Sequence, residues 1–269
     1  MTTADKSMTS RLTPTPSAPV IGAGYAKGLL AFAVSKGADR ATLLARSNLK
    51  AADVEDLDAR IPLARYVALF EAAAELLDEP ALALHYGQAV RIQDVSIVGL
   101  ICEACETTLA VGTQLNRYMR LFADDGSGAS GDLVRLVRRD EGIWMEGVHW
   151  IYTASRFVTE AETSRLVSNT RAMFANNADF QAMRFPVAIE FAHQAPNYAA
   201  EYERIFQCPV AFGAPSNAMQ IVPRFLTLRQ PPVNRYVFGL LSERAEALLK
   251  RLEATRTTRA RVESLLIPL

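Results

Sequence analysis

The chain has 269 residues, half of them hydrophobic, and equal numbers of basic and acidic side chains, so its formal net charge is zero. That length suits one large domain with peripheral helices, and the neutral balance excludes a stand-alone nucleic-acid binder, which carries a basic excess. No stretch approaches the roughly 18 apolar residues of a membrane span, and three cysteines make no disulfide framework, as expected in a reducing cytoplasm.

Residues 1–19, rich in Thr, Ser and Pro, read as a disordered tail with no secretory core or cleavage site. Helical signals then dominate to Asp125. Tyr25–Lys36 stops at Gly37, and Arg40–Ser47 ends near Asn48. Pro62 stands at a first-turn position for Leu63–Leu77, and Pro80 opens Ala81–Gly87. Ile97–Cys105 is a compact apolar stretch. Thr107 or Thr108 caps a long helix, Leu109–Phe122, with Leu115, Tyr118, Met119 and Phe122 inward.

The period then changes to two. Asp132–Arg138 and Ile143–Tyr152 alternate around the turn Arg139–Gly142, the pattern of a β-hairpin. A helix over Ala154–Phe174 follows, then a strand over Arg184–His193 with Pro186 at its start or edge. Asn197–Phe206 returns to helix, and a short strand lies near Ala218–Val222. The last long helix, Asn234–Glu253, carries Phe238, Leu241, Ala245, Leu248 and Leu252 at a/d-like spacing, which suits a packing or dimer helix. The order predicts an α+β fold: N-terminal helices packed with a small antiparallel sheet, and a long C-terminal linker helix. After Thr258 a further amphipathic helix begins, with Val262, Leu265, Leu266 and Leu269 at helical spacing. A chain that stops on an apolar stripe reads as the front part of a longer protein, unless those leucines dock back.

Few motifs carry chemistry. Gly126–Gly131 matches GxGxxG, but it follows a helix and precedes a strand, the reverse of a dinucleotide site. Cys102 and Cys105 form CxxC inside an apolar helical stretch, so buried structural thiols are favoured over redox or zinc roles. His85, His149 and His193 are far apart, and no serine stands in a GxSxG elbow. No catalytic residue, metal or cofactor is assigned. One region has the composition of a small-molecule pocket: Trp144, Met145, His149, Trp150 and Tyr152 on the hairpin's second strand, with Arg156 and Phe157 next. Here Arg156 or His149 would meet a carboxylate. The alternative reading of these aromatics is core and sheet cover.

Three segments together resemble the effector-binding half of AraC-type bacterial transcription regulators, the "arabinose-binding domain" subgroup. They are Ala59–Val90, with its proline-led helix and "DEPALAL" turn; Ser96–Asp124, a glycine-containing stretch before a long helix; and Ala195–Ile221, with "FQCPVAF" and "FGAPSNA". The likeness runs from about Tyr25 to Leu269. It implies an effector-binding domain over 20–233, a linker and dimerisation helix over 234–258 with Ala254–Thr258 as the linker proper, and the start of a truncated DNA-binding domain over 259–269. It also implies a homodimeric, cytoplasmic ligand sensor that takes a small effector, a hydrophobic or organic acid being one candidate, and meets operator DNA only through missing helix-turn-helix units. The domain label is no evidence for arabinose. Two alternatives stand beside it: an enzyme using His149 and Glu146, and a scaffold with Phe238, Leu241, Leu248 and Leu252 as its seam.

Overall fold

The computed structural model describes residues 18–127, 131–139, 142–230 and 235–266, with side chains as far as residue 254. The tail expected at the N-terminus therefore lies almost wholly outside the described residues, as do the hairpin turn residues 140 and 141 and the apolar end at Leu269.

A short strand, β1 (Val20–Gly22), leads into α1 (Ala23–Ser35), which stops where Gly37 takes φ +104°, a conformation glycine adopts freely. Asp39 caps α2 (Arg40–Arg46) by accepting from the Thr42 N–H at 2.7 Å. Strand β2 (Arg60–Pro62) then pairs with β1, so Pro62 closes a strand just before α3 (Leu63–Leu76) and is not in that helix's first turn. Next come α4 (Leu82–Ala89), α5 (Ile97–Glu103) and α6 (Thr108–Phe122), with Ser96 and Thr107 capping the last two at 3.2 Å each. β3 (Ala123–Asp124) continues from α6 and completes an antiparallel sheet of order β2-β1-β3. Strands this short show no readable alternation, which is why the sequence pattern gave no sign of them.

The second sheet starts with the hairpin β4 (Val134–Arg139) and β5 (Gly142–Gly147). β5 ends five residues before the predicted strand did. His149 and Trp150 lie in the connection, and Tyr152 belongs to α7 (Ile151–Ala154). Then follow α8 (Arg156–Met173), α9 (Ala178–Gln181), β6 (Ala188–Phe191), α10 (Ala199–Phe206), β7 (Val210–Phe212) and β8 (Asn217–Ile221). The strand order is β4-β5-β8-β6-β7, and β6 and β7 run parallel while the other neighbours are antiparallel. The sheet is thus mixed, because α10 makes the crossover that a parallel pair needs. The α+β class holds.

The final helix, α11 (Arg235–Leu266), is continuous. Ala254–Thr258, expected as a linker, stays helical, so nothing in the backbone separates residues 259–266 from the helix before them. The stripe expected as a dimer seam packs on α5 and α6 of the same chain. Ala245 is fully buried in a cluster with Val98, Ile101, Cys102 and Tyr118, Phe238 and Leu241 pack against that cluster, and Leu248 is buried as well. Leu252 is half-buried. An apolar helix face buries itself on the nearest apolar surface, and here its own domain supplies one.

Candidate functional site

Alternation along the strands puts Leu136, Met145, Met219 and Ile189 in one cross-strand row on β4, β5, β8 and β6. These four side chains help line a cavity of about 780 Å³. Leu115, Met119 and Phe122 of α6 and Leu166 and Met173 of α8 contribute to the same cavity. The volume falls within the roughly 300–1,000 Å³ typical of small-molecule pockets, and the lining is largely apolar, as such pockets are.

Most polar groups on the wall are already engaged. Asn116 accepts from the N–H groups of Leu133 and Val134 at 3.0 and 3.1 Å and donates to the Val134 carbonyl at 2.9 Å. Asn217 accepts from the Ala192 N–H at 2.9 Å and donates to the Tyr152 carbonyl at 3.1 Å. Arg165 is more unusual, a wholly buried cation on α8. Its Nε donates to the Val90 carbonyl at 3.2 Å, its Nη1 pairs with Glu162, and its guanidinium lies 4.9 Å from the Tyr86 ring centre. Burial pulls its pKa down, but Glu162 and the surrounding phenols outweigh that, and the net shift is upward. Burial likewise pushes the Tyr86 phenol up to about 12.

The cavity takes up two of the seven residues expected to bind ligand, Met145 and Tyr152. Trp144 neighbours Met145 on β5 and so faces the other way, where Arg139 covers its ring at 4.5 Å while pairing with Glu146 and Glu190 at 2.6 and 2.7 Å. His149 is buried beside Trp150, with ring centres 5.1 Å apart, and burial holds its pKa down. Trp150 packs on the helical core. Arg156 sits 3.2 Å from Glu160 and against Phe157 and Tyr198. Glu160 in turn accepts from the Tyr198 and Tyr202 hydroxyls at 2.9 and 2.6 Å. Phe157 stacks on Phe70 in the core at 5.6 Å. Glu146 is thus held by arginines on the outer sheet face, away from His149, and the two form no acid–base pair.

Residues that the sequence pattern did not single out complete the site: Arg165, Glu162 and Asn169 on α8, and Met219 on β8. The α8 set recurs at helical spacing, which is a signal, but charged residues so spaced normally mark a solvated face. Cys102 also lines the cavity, buried, and Cys105 donates its thiol to the Ile101 carbonyl at 3.3 Å. Burial pushes the Cys105 thiol up to about 11 and Cys102 higher, which makes both poor nucleophiles. Among the described residues no group of His, Cys, Asp and Glu is placed to hold a metal ion, and no helix is long and apolar enough to cross a membrane. Gly126, with φ +76°, follows β3, and residues 128–130 of the GxGxxG stretch lie outside the described residues.

Residues 37–230 match the arabinose-binding domain of AraC transcription regulators, N-terminal. The chain belongs to that family, the one that its three motif-bearing segments resemble. A relative, the ornithine utilization regulator of Pseudomonas aeruginosa, is 24% identical over 251 residues, covering 93% of this chain and 71% of the relative. The crystal structure of the transcriptional regulator CdpR from Pseudomonas aeruginosa aligns with a TM-score of 0.44 at 18% identity, over 73% of this chain. The chain spans 57% of that solved chain.

Proposed function

We propose that these residues are the effector-sensing part of a cytoplasmic transcription regulator, binding a small molecule without chemical change. The observation that carries this reading is the position of α5 and α6. Val98 and Cys102 of α5 and Met119 of α6 face the cavity. On the same two helices, Ile101 packs against α11, Tyr118 donates to Glu246 at 3.1 Å, and Arg117 and Arg120 pair with Glu246 and Glu253 at 2.7 and 3.3 Å. A ligand that fits one placement of α5 and α6 better than another biases α11 by its differential affinity. In the whole regulator, α11 would pass that bias to DNA-binding elements after it. Operator DNA would meet those elements and not this domain. Homodimerisation, in this reading, uses the free side of α11, where Val237 and Leu240 are 41% and 49% exposed.

The test is a thermal-shift screen of sugars, organic acids and amino acids, ornithine among them, on the wild type and on Gly112→Trp. Gly112 lines the cavity, and a Cβ added there meets no atom within 4 Å, so the indole enters open space. A ligand at one hundred times its Kd stabilises by about 2.7 kcal/mol. Effectors should raise the wild-type Tm and lose that shift in the variant. A library without a single hit, or hits that bind the variant equally well, would refute the assignment of the cavity.

A further inference from the structure

Methionine is unevenly spread in this chain. Of its seven, Met1 and Met8 lie outside the described residues, and four of the other five, Met119, Met145, Met173 and Met219, line the cavity. They come from α6, β5, α8 and β8, so they border the space from both helices and from the sheet. The period of each element puts them there as well. Met119 stands four residues after Leu115 and Met173 seven after Leu166, both lining residues, and Met145 and Met219 are cross-strand partners on β5 and β8. Methionine is elsewhere a filler of irregular gaps in cores. A filler leaves no space beside it, whereas these four border about 780 Å³.

The polar side chains of the wall are largely spent inside the protein. Besides Asn116 and Asn217, Thr108 donates to the Phe225 carbonyl and Thr113 to the Leu109 carbonyl at 3.2 Å. Glu103 accepts from Arg91 at 2.7 Å and from Gln93. Leu109 and Leu136 line the cavity and are also exposed, so its mouth is apolar too. A sugar or an amino acid carries several polar groups, and each needs a partner once it leaves water. This wall offers few such partners and much apolar surface.

Taking the cavity as the effector site, as proposed above, we infer that it senses a class of small, mainly hydrocarbon molecules with at most one polar group, and not a single compound. The methionine side chain is unbranched, with three rotatable bonds and a polarizable sulfur, so the wall re-forms around chains and rings of different shape. Flexible Met-rich surfaces that repack in this way are how promiscuous binders accept varied partners. Met119, Met145, Met173 and Met219 thereby set the breadth of specificity. Sugars and amino acids fall outside the class.

The probes are 1-butanol, 1-hexanol, 1-octanol and cyclooctanol, titrated by ligand-observed NMR. From 1-butanol to 1-octanol affinity should rise about fourfold per added CH2. The rise should vanish in Gly112→Trp, which separates the cavity from adsorption elsewhere. 1-Octanol and cyclooctanol, a chain and a ring of equal carbon number, should both bind. The double variant Met145→Leu with Met219→Leu nearly conserves volume and spares the fold, but its branched side chains stiffen the wall. There the ratio of the two affinities should move by about fivefold or more. Met119→Leu with Met173→Leu is the second variant should the first not fold. Affinity flat in chain length, a rise that persists in Gly112→Trp, or a ratio unmoved in both variants would each overturn the inference. So would arabinose or ornithine binding more tightly than 1-octanol, a result that leaves the cavity as the effector site if Gly112→Trp abolishes it. If no alcohol binds, the inference falls, and the separate thermal-shift screen decides whether the sensor reading falls with it.

Discussion

Helix α8 meets two different environments. On one face it lies so close to α4 that a Cβ added at Gly87 would stand 2.2 Å from the Ala161 carbonyl oxygen, and Ser164 donates to the Leu84 carbonyl at 2.7 Å. On the other face Glu162, Leu166, Asn169 and Met173 border a cavity of about 780 Å³. Close packing is the rule inside proteins, and voids larger than a water molecule are few. The contrast on a single helix therefore separates two roles. The α4 side fixes the helix in place, and the open side presents its side chains to whatever enters. Arg165 stands between them, anchored to Val90 on the packed side while also lining the cavity.

The largest effect should come from breaking that anchor. Arg165→Met leaves Glu162 without its cation in a mostly buried setting, and losing one member of a buried pair costs about 3–5 kcal/mol. Urea denaturation measures it, and Glu162→Gln in the same chain should restore much of the loss. A cost below about 1 kcal/mol would mean that the guanidinium is not truly held in the interior. A smaller and more diagnostic effect compares two glycines. Gly87→Ala forces a methyl against backbone that cannot yield, which costs about 1–3 kcal/mol. Gly112→Ala, on the hollow side, meets nothing and should stabilise α6 by about 0.5–1 kcal/mol. Equal responses at the two positions would erase the distinction between packed and open sides.

How much of this was legible in the sequence varies with the physics of each element. The helices were readable because caps and period are local: Asp39 and Thr107 each bond a backbone N–H three residues on. The inward set on α6, with Leu115, Met119 and Phe122, also follows from spacing alone, and all three line the cavity. On β5 alternation separated Trp144 from Met145 but did not tell which face is inside. Both had the composition of a pocket wall, yet neighbours on a strand cannot share one face, and the outer-face cover of Trp144 by Arg139 leaves only Met145 at the cavity. Past Gly147 the alternating pattern continued while the strand did not. Tyr152 folds back so closely that a Cβ at Gly147 would stand 2.7 Å from its ring, a tertiary contact that no local period records. Arg165 was illegible for a related reason. Its burial needs α8 to be covered on more than one side, and composition along a helix reports only its own periodicity.

The smallest effect tests whether the packed side is also pinned at its rim. His85 of α4 lies between Glu79 and Glu201 of α10, with 2.7 Å to Glu201, and Arg204 approaches Glu201 at 2.8 Å. Arg204 first and His85 second hold the Glu201 carboxyl down, at about 2. The sign follows from which state takes up the proton first. As pH falls, the unfolded chain protonates this group near its ordinary value of about 4.3, before the folded chain does. The stabilisation is therefore complete above about pH 5 and lost between there and about pH 2. Because the side chain is 31% exposed, its size is about 0.2–1 kcal/mol. Glu201→Gln should accordingly lower the urea midpoint at pH 7, and that gap should close by pH 2. A gap independent of pH would show that packing alone joins α4 to α10. The affinity of any effector found in the thermal-shift screen should not change at pH 7, since Glu201 does not line the cavity. If it did change, the two sides of α8 would be coupled, and α4 could no longer be regarded as a fixed support.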